Sequence, residues 1–164
     1  MALCERLQRL FETERPAYRV IPHAQAFTAS QVAATSHVPG REVVKVVVLR
    51  DAGGSHLMVA LPAPAWLDMD AVAVATGRPG LRLATEAEFG ELFPDCEPGA
   101  MPPFGELYDI PVYMDACLPA SPEIVFQAGN HREAIVMAYA EYERLARPIT
   151  GQRCFHRARH RAAG

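Results

Sequence analysis

The sequence has only one lysine, Lys45, although it contains fifteen arginines. It also lacks an apolar run near the ~20 residues that a membrane-spanning helix needs, and its charged first sixteen residues do not resemble a signal peptide. The four cysteines are scattered without the paired spacing of a zinc site. Because 164 residues can bury a core without disulfides, these absences predict a cytoplasmic protein with reduced thiols, no structural metal and no membrane partner.

Charge is unevenly distributed along the chain. Residues 153–164 contain four arginines and no acid, whereas residues 1–152 carry 12 basic and 19 acidic side chains. An acidic body does not suit a protein that holds long nucleic acid by releasing counterions from its phosphates. We therefore expect no DNA partner. We interpret residues 1–152 as a single domain and residues 153–164 as a basic, disordered tail rather than a zinc site.

Apolar spacing, capping residues and turns predict an α+β chain without internal repeats. Thr85 followed by Glu88 is a capping box that begins a helix, and Thr28 followed by Gln31 is another. Asn130 is the expected N-cap of the final helix. The paired strands indicate a mixed sheet, curled into a barrel and surrounded by helices. The predicted helices cover residues 2–14, 28–35, 68–76, 85–93 and 132–145, and the predicted strands cover residues 17–22, 43–49, 56–61, 81–83, 110–115 and 123–127.

The stretch REVVKVVVLR, residues 41–50, places Lys45 inside an apolar strand. An uncompensated ammonium is costly in apolar surroundings. One interpretation is an edge strand, with Lys45 in water and with Val44 and Val46 facing inward. The other is a lysine at the floor of a pocket, where its compact charge is held for an anionic or carbonyl group of a ligand. The strand by itself leaves both interpretations open.

Residues 94–105, PDCEPGAMPPFG, contain four prolines and two glycines, which exclude a helix or a central strand. Such a segment is commonly a connector. It also has little backbone freedom to lose, and Gly99 and Gly105 let the main chain approach a ligand closely. The second interpretation is therefore a rigid wall that grips a small polar group by shape. Cys96 in this loop is interpreted as an inert thiol, because no partner histidine can be assigned to it.

Five segments follow one another in an order that is more specific than any of them alone: PHAQAFTASQVA, VVKVVVLRD, LATEAEFGELFPDCEPGAMPPFG, IPVYMD and FQAGNHREAIVMAY. Together they resemble the YbaK/ProX family of aminoacyl-tRNA deacylases, which is related to the editing domain inserted in bacterial prolyl-tRNA synthetases. The resemblance runs from about His23 to Pro148, which is most of the chain. It implies a mixed α+β domain built on a curled sheet, in agreement with the pattern of elements.

The resemblance implies roles for particular residues. Lys45 occupies the position of a family lysine regarded as essential for hydrolysis. Residues 99–103 fit a glycine-x-x-x-proline loop that lines the substrate pocket, so we expect Lys45 to point into a pocket walled by this loop. For His131, capping or exposure to solvent competes with contact to the tRNA end. The expected substrate-binding residues are His23, Thr28, Gly99, Ala100, Met101, Pro102, Pro103, Gly129 and His131.

Two positions depart from the family pattern. Many members have threonine or asparagine directly after the lysine, where this chain has Val46. Members that remove alanine from proline tRNA tend to have a histidine near the end of the last strand, where this chain has Phe126 and Gln127. Both departures concern the amino acid that is removed rather than the reaction.

The resemblance implies a trans-editing hydrolase that cleaves the ester between a wrongly attached small amino acid and the terminal ribose of a tRNA. Water is the implied nucleophile, helped by the ribose hydroxyl of the substrate, with no metal or other cofactor. The expected partners are the acceptor end of a mischarged tRNA and, as a second candidate, an aminoacyl-tRNA synthetase. The alternatives are a non-catalytic module of the same fold that binds a small ligand, a tRNA end or a synthetase, and a hydrolase of another small ester or amide.

Overall fold

The computed structural model describes residues 3–22, 31–32, 42–118, 122–151 and 155–157. None of the described helices combines the length and apolarity needed to cross a bilayer. The helices are α1 Glu5–Glu14, α2 Met69–Thr76, α3 Glu86–Leu92 and α4 Tyr139–Ala146, and a 3-10 turn covers Gly105–Tyr108. The strands are β1 Tyr18–Pro22, β2 Val44–Arg50, β3 His56–Pro62, β4 Trp66–Leu67, β5 Arg82–Leu83, β6 Val112–Met114, β7 Glu123–Gln127, β8 Glu133–Ala138, β9 Ile149–Thr150 and β10 His156–Arg157.

Several helix boundaries follow local sequence signals. The Asp68 carboxylate accepts hydrogen bonds from two main-chain N–H groups of the first turn of α2, at 3.1 Å each. Gly77, with a φ of +66°, ends this helix in the left-handed conformation. At α3, Thr85 and Glu88 form the reciprocal capping box that the sequence predicts. Local hydrogen bonding therefore decides where these two helices begin and end.

The fold contains two larger sheets, one of three strands and one of five. The first has the strand order β1-β8-β7 with antiparallel pairs. The second has the order β5-β2-β3-β6-β9, antiparallel from β5 to β3 and parallel from β3 to β9. A parallel bridge between Val43 and Val125 joins the two sheets, and β10 pairs with β4 in a separate ribbon. The mixed α+β architecture is as predicted, but within the described residues the strands form separate sheets and no closed barrel.

The main core joins the two larger sheets. Val44 and Val48 of β2 lie in one buried cluster with Phe126 of β7 and Met137 of β8. Helix α1 adds Leu7 to this cluster. Each such side chain stabilises the folded state by about 1.5–3 kcal/mol when it is fully removed from water. The opposite, outer face of β2 and β3 is covered by α2, and the two faces of β2 therefore have different environments.

The segment after Gln127 differs from the prediction. Residues 133–138 form strand β8 instead of the first turns of a helix, and α4 begins only at Tyr139. Strand β8 pairs with β1 on one side and with β7 on the other. Asn130 does act as a cap, because its side-chain oxygen accepts from two following main-chain N–H groups at 2.7 and 2.9 Å. Its turn leads into a strand, however, because ladder bonds and burial in a central strand outweigh local helix propensity.

Part of the basic tail is built into the domain. The Phe155 side chain is 1% exposed and packs against the outer face of β2 and β3. Its N–H donates to the buried Asp115 carboxylate at 2.8 Å, and its carbonyl accepts from the Asp68 N–H at 2.7 Å. Residues 155–157 thus differ from the expected disordered tail, because burial of an aromatic ring and two internal hydrogen bonds hold them.

Candidate active site

Lys45 lies in β2 with its side chain half-buried. Its Nζ donates a hydrogen bond to the main-chain carbonyl of Ala65, between β3 and β4. Strand β2 pairs with β3 from Val44 to Arg50, whereas β5 pairs only with Leu49 and Arg50. Lys45 differs from a lysine that points into water at a solvated edge, because it is half-buried and bonded within the protein. A carbonyl acceptor offsets part of the desolvation of the ammonium, which lets a cation remain at this position.

The side chain of Lys45 and those of its two neighbours in β2 lie on opposite faces of the strand. Val44 and Val46, which flank Lys45, pack into the main core together with Met101. Because successive side chains of a strand point to opposite faces, Lys45 points away from this core. The expected pocket in which Lys45 faces residues 99–103 stays a prediction. The same alternation directs Val46 into the core and away from the neighbours of Lys45.

The face of β2 that carries Lys45 continues onto β7. Val43 and Val125, which form the parallel bridge, belong to one apolar cluster on this outer face. Two residues further along each strand lie Lys45 and Gln127, which therefore share the same face. Val32, which is fully buried, belongs to this cluster as well. A residue of the segment between β1 and β2 thus covers the outer face beside Lys45.

Hydrogen bonds join the proline-glycine loop to the end of β7. The Gly129 N–H donates to the Ala100 carbonyl at 2.8 Å, and the Gly129 carbonyl accepts from the Glu97 N–H at 2.9 Å. Gly129 has a φ of +114°, and a Cβ at this position would lie 2.8 Å from the main-chain nitrogen of Cys4. Glycine alone fits both the dihedral angle and the close approach. Gly129 therefore fixes where the loop meets the strand.

His131 connects this loop to Gln127. Its Nε2 lies 2.8 Å from the Pro98 carbonyl, its Nδ1 lies 3.4 Å from Gln127 Nε2, and its main-chain N–H donates to Glu97 at 3.1 Å. The imidazole side chain is only 5% exposed. His131 is thus neither the solvent-exposed histidine nor the capping residue that the sequence favours, because Asn130 supplies the cap. It is a buried bridge between the loop and β7.

The five residues of the expected substrate loop separate into an exposed edge and a buried interior. Gly99, with a φ of +84°, is exposed, whereas Ala100, Met101, Pro102 and Pro103 are buried. The carbonyls of Pro102 and Pro103 accept internal hydrogen bonds at 2.8 and 2.7 Å. The surface that this loop presents beside His131 is consequently its first part, Pro98 and Gly99.

Cys96 belongs to a polar cluster in the same loop. The Tyr108 hydroxyl donates to Asp95 at 2.8 Å and lies 3.4 Å from the Cys96 sulfur and 3.5 Å from the Cys4 sulfur. The hydrogen bond with Cys4, together with burial, raises the pKa of Cys96. A protonated thiol is a poor nucleophile, which favours the interpretation of Cys96 as inert. Across the described ranges, no group of three or more His, Cys, Asp or Glu side chains could hold a metal ion.

Sequence reasoning did not identify every residue of this region. His23 and Thr28 lie outside the described residues, so their expected place at the pocket entrance stays a prediction. In the sequence Gln127 stands out as a departure from the family pattern, and a polar residue that ends the apolar run EIVFQ is a further usable signal. The sequence does not indicate that Ala65 belongs to the site, because this residue contributes only its main-chain carbonyl.

Known proteins point to one family. Residues 23–145 match the aminoacyl-tRNA editing domain. The chain is 28% identical over 148 residues to the multifunctional Ser/Thr-tRNA deacylase ProXp-y of Escherichia coli strain K12, with 88% of each chain covered. This agrees with the resemblance found in the sequence.

Solved structures have the same fold. A candidate trans-editing enzyme for prolyl tRNA synthetase matches with a TM-score of 0.78 and 24% identity, over 94% of this chain and 97% of that chain. A hypothetical protein matches with a TM-score of 0.79 and 20% identity, over 89% of this chain and 97% of that chain. Because the editing-domain match spans most of the sequence, this chain belongs to the aminoacyl-tRNA editing domain family.

Proposed function

We propose that this protein is a trans-editing deacylase, which hydrolyses the ester between a small amino acid and the terminal ribose of a mischarged tRNA. The observation that carries the proposal is the half-buried ammonium of Lys45, held at the Ala65 carbonyl. Membership of the editing-domain family supports the reaction class. The relative from Escherichia coli is named a Ser/Thr-tRNA deacylase, which supports serine and threonine among the small amino acids.

Lys45 is the proposed catalytic residue. When water adds to the ester carbonyl, the oxygen becomes negative, and a fixed positive charge stabilises it. An ammonium has three N–H donors, so the bond to Ala65 can fix its position while another N–H contacts the substrate. The attacking water gives up a proton, the ester C–O bond breaks, and the ribose oxygen receives a proton. The neighbouring ribose hydroxyl of the substrate assists this transfer, and the products are a free amino acid and an uncharged tRNA.

The edge formed by Pro98, Gly99, Gln127 and His131 is the proposed place of the amino acid. It lies at the end of β7, on the strand face that Lys45 shares. Residues 100–103 and Gly129 then act indirectly, because they hold this edge in position. His23 and Thr28 remain proposed residues of the pocket entrance.

The proposed reaction takes place in the cytoplasm, where charged tRNA is used, and needs no metal. Deacylation in the presence of excess EDTA should therefore proceed at the rate measured without it. A loss of activity that added Mg²⁺ or Zn²⁺ restores would contradict this part of the proposal.

A deacylation panel tests the function. Alanyl-, cysteinyl-, seryl-, threonyl- and prolyl-tRNA are incubated with the wild type and with Lys45→Ala. We expect hydrolysis of at least one of them, and a loss of about 100-fold or more in kcat/KM for the variant, as for removal of one oxyanion donor. Equal rates in both proteins would overturn the role of Lys45. Binding of charged tRNA without hydrolysis would instead support the non-catalytic module, and hydrolysis of small esters alone would support the other alternative.

A further inference from the structure

Trp66, the only tryptophan of the sequence, is 59% exposed. Its neighbours Ala65 and Leu67 pack against the apolar cluster on the outer face of β2 and β3. Because successive residues of a strand alternate in direction, Trp66 points out of this cluster. Single apolar side chains on a surface are common and need no explanation. Among the exposed large apolar residues in the described parts of the chain, however, Trp66 is the one aromatic residue.

Trp66 begins beside the ammonium of Lys45. The Ala65 carbonyl accepts a hydrogen bond from Lys45 Nζ, and a peptide bond joins this carbonyl group to the nitrogen of Trp66. From the lengths of these bonds, the Cα of Trp66 lies within about 6 Å of Nζ. The exposed ring is therefore attached to the main chain next to the proposed catalytic charge.

The strand that pairs with β4 comes from the basic end of the chain. Trp66 of β4 is in register with Arg157 of β10. Residues 153–164, which include β10, contain four arginines and no acid. The main-chain N–H of Phe155 donates to the buried Asp115 carboxylate at 2.8 Å, so the start of β10 is attached to the domain at a defined place. The ribbon β4–β10 thus combines an exposed aromatic ring with a positively charged segment.

We propose, on the basis of the function proposed above, that the ribbon β4–β10 binds the single-stranded 3′ end of the tRNA and that the Trp66 ring stacks on its terminal base. Proteins commonly hold single-stranded nucleic acid by such a combination of aromatic rings and positive charge. The terminal base and the amino-acid ester are attached to the same ribose, so a base held on Trp66 leaves the ester beside Lys45. Stacking uses the exposed part of the ring, and the contacts that Trp66 makes within the protein can remain.

The fluorescence of Trp66 tests this contact, because no other tryptophan contributes to the signal. The probes are two uncharged RNA hairpins that carry a tRNA acceptor stem and its single-stranded 3′ end. They are identical except that the terminal nucleotide of the second hairpin has its ribose but no base. We expect the complete hairpin to quench the Trp66 emission on binding, and the abasic hairpin to leave the emission near its value in the free protein.

Substitution of Trp66 measures how much the ring contributes to binding. The Kd is obtained from the fluorescence anisotropy of hairpins that are labelled at the 5′ end. Trp66→Ala should raise the Kd of the complete hairpin about 5- to 150-fold, which is the effect of losing one base–aromatic stack. The abasic hairpin should bind the wild type and this variant about equally well. Trp66→Phe retains an aromatic ring and should bind the complete hairpin more tightly than Trp66→Ala does.

Leu83→Ala is the matched control for the loss of an exposed apolar side chain. Leu83 is 61% exposed and pairs with Leu49, four positions along β2 from Lys45. This variant should leave the Kd of both hairpins unchanged, and thermal melting verifies that each variant is folded. If Trp66→Ala weakens binding of the complete and the abasic hairpin by the same factor, the ring supports the ribbon without contacting a base, and the proposal is refuted.

The outcomes separate this contact from the deacylase function, because binding is measured with uncharged RNA. If the complete hairpin quenches Trp66 and none of the charged tRNAs in the panel is hydrolysed, the contact stands and the deacylase function fails. If charged tRNA is hydrolysed but the Trp66 emission is the same with both hairpins, deacylation stands and the role of Trp66 is refuted.

Discussion

The side chain of Lys45 is hydrogen-bonded to the main-chain carbonyl of Ala65, twenty residues later in the chain. The acceptor is a carbonyl and not a carboxylate, so the bond positions the ammonium without neutralising its charge. A cation that a neutral carbonyl holds in place suits a developing oxyanion.

Lys45→Arg should lower kcat/KM for deacylation by roughly tenfold or more, although the positive charge is retained. The guanidinium is planar and larger than an ammonium, so it does not place a compact charge at the same point. The measurement is single-turnover deacylation of the best substrate in the panel, with melting temperature as the control for folding. Activity equal to the wild type would mean that charge alone suffices at this position.

Gly129→Ala should destabilise the protein by about 1–3 kcal/mol, because a φ of +114° is strained for any residue with a Cβ. The new Cβ would also lie 2.8 Å from the main-chain nitrogen of Cys4. Gly90→Ala is the matched control: this glycine lies within α3, and a Cβ there meets nothing within 4 Å. Helix propensity predicts that the control stabilises the protein by about 0.5–1 kcal/mol. Urea unfolding of both variants measures the two changes in the free energy of unfolding, which should have opposite signs.

Tyr142→Phe should lower the free energy of unfolding by about 1–3 kcal/mol, because it leaves the Pro103 carbonyl without its hydrogen-bond donor in the core. The Tyr142 hydroxyl donates to that carbonyl at 2.7 Å, and the side chain is fully buried. Urea denaturation with an unchanged m-value measures the loss. A variant as stable as the wild type would contradict the view that this bond holds the inner part of the loop.

Glu88→Gln should destabilise the protein at pH 7 and progressively less in acid. The hydrogen bond from Arg82 and the bond from the Thr85 main chain hold the pKa of Glu88 well below its usual value of about 4.3. A carboxyl group with a lowered folded-state pKa contributes its stability above the unfolded pKa and loses it as the pH falls toward the folded pKa. The difference between wild type and variant should therefore shrink from about pH 5 toward about pH 2. Glu86→Gln, at an exposed position in the same helix turn, is the control.

Two truncations of the C-terminal tail should differ in their effect on the melting temperature. Deletion of residues 152–164 should lower the melting temperature more than deletion of residues 158–164, because only the longer deletion removes the buried Phe155 ring and its bond to Asp115. Removal of a buried aromatic ring costs about 3–5 kcal/mol. If the arginines of the tail contact tRNA phosphates, the shorter deletion should also flatten the salt dependence of tRNA binding.

Local sequence signals predicted the elements that depend on neighbouring residues. The Thr85–Glu88 capping box and strand β7 are as predicted, and the helix predicted over residues 68–76 is found at Met69–Thr76, because each depends on hydrogen bonds or burial within a few positions. Strand β8 was predicted as a helix. Its conformation depends on pairing with β1, more than a hundred residues earlier, and no local signal reports such a pairing.

The sequence by itself determined the family, the one lysine in an apolar strand and the rigid loop of prolines and glycines. Only the tertiary structure decided which of these come together. It buried the side chain of Met101 in the core, and it brought Gln127 onto the lysine's face and linked it through His131 to Pro98. The bridge between Val43 and Val125, which brings β2 and β7 together, joins residues 82 positions apart in the chain. The geometry of these contacts follows from strand register and from a close approach at Gly129, which no single segment encodes.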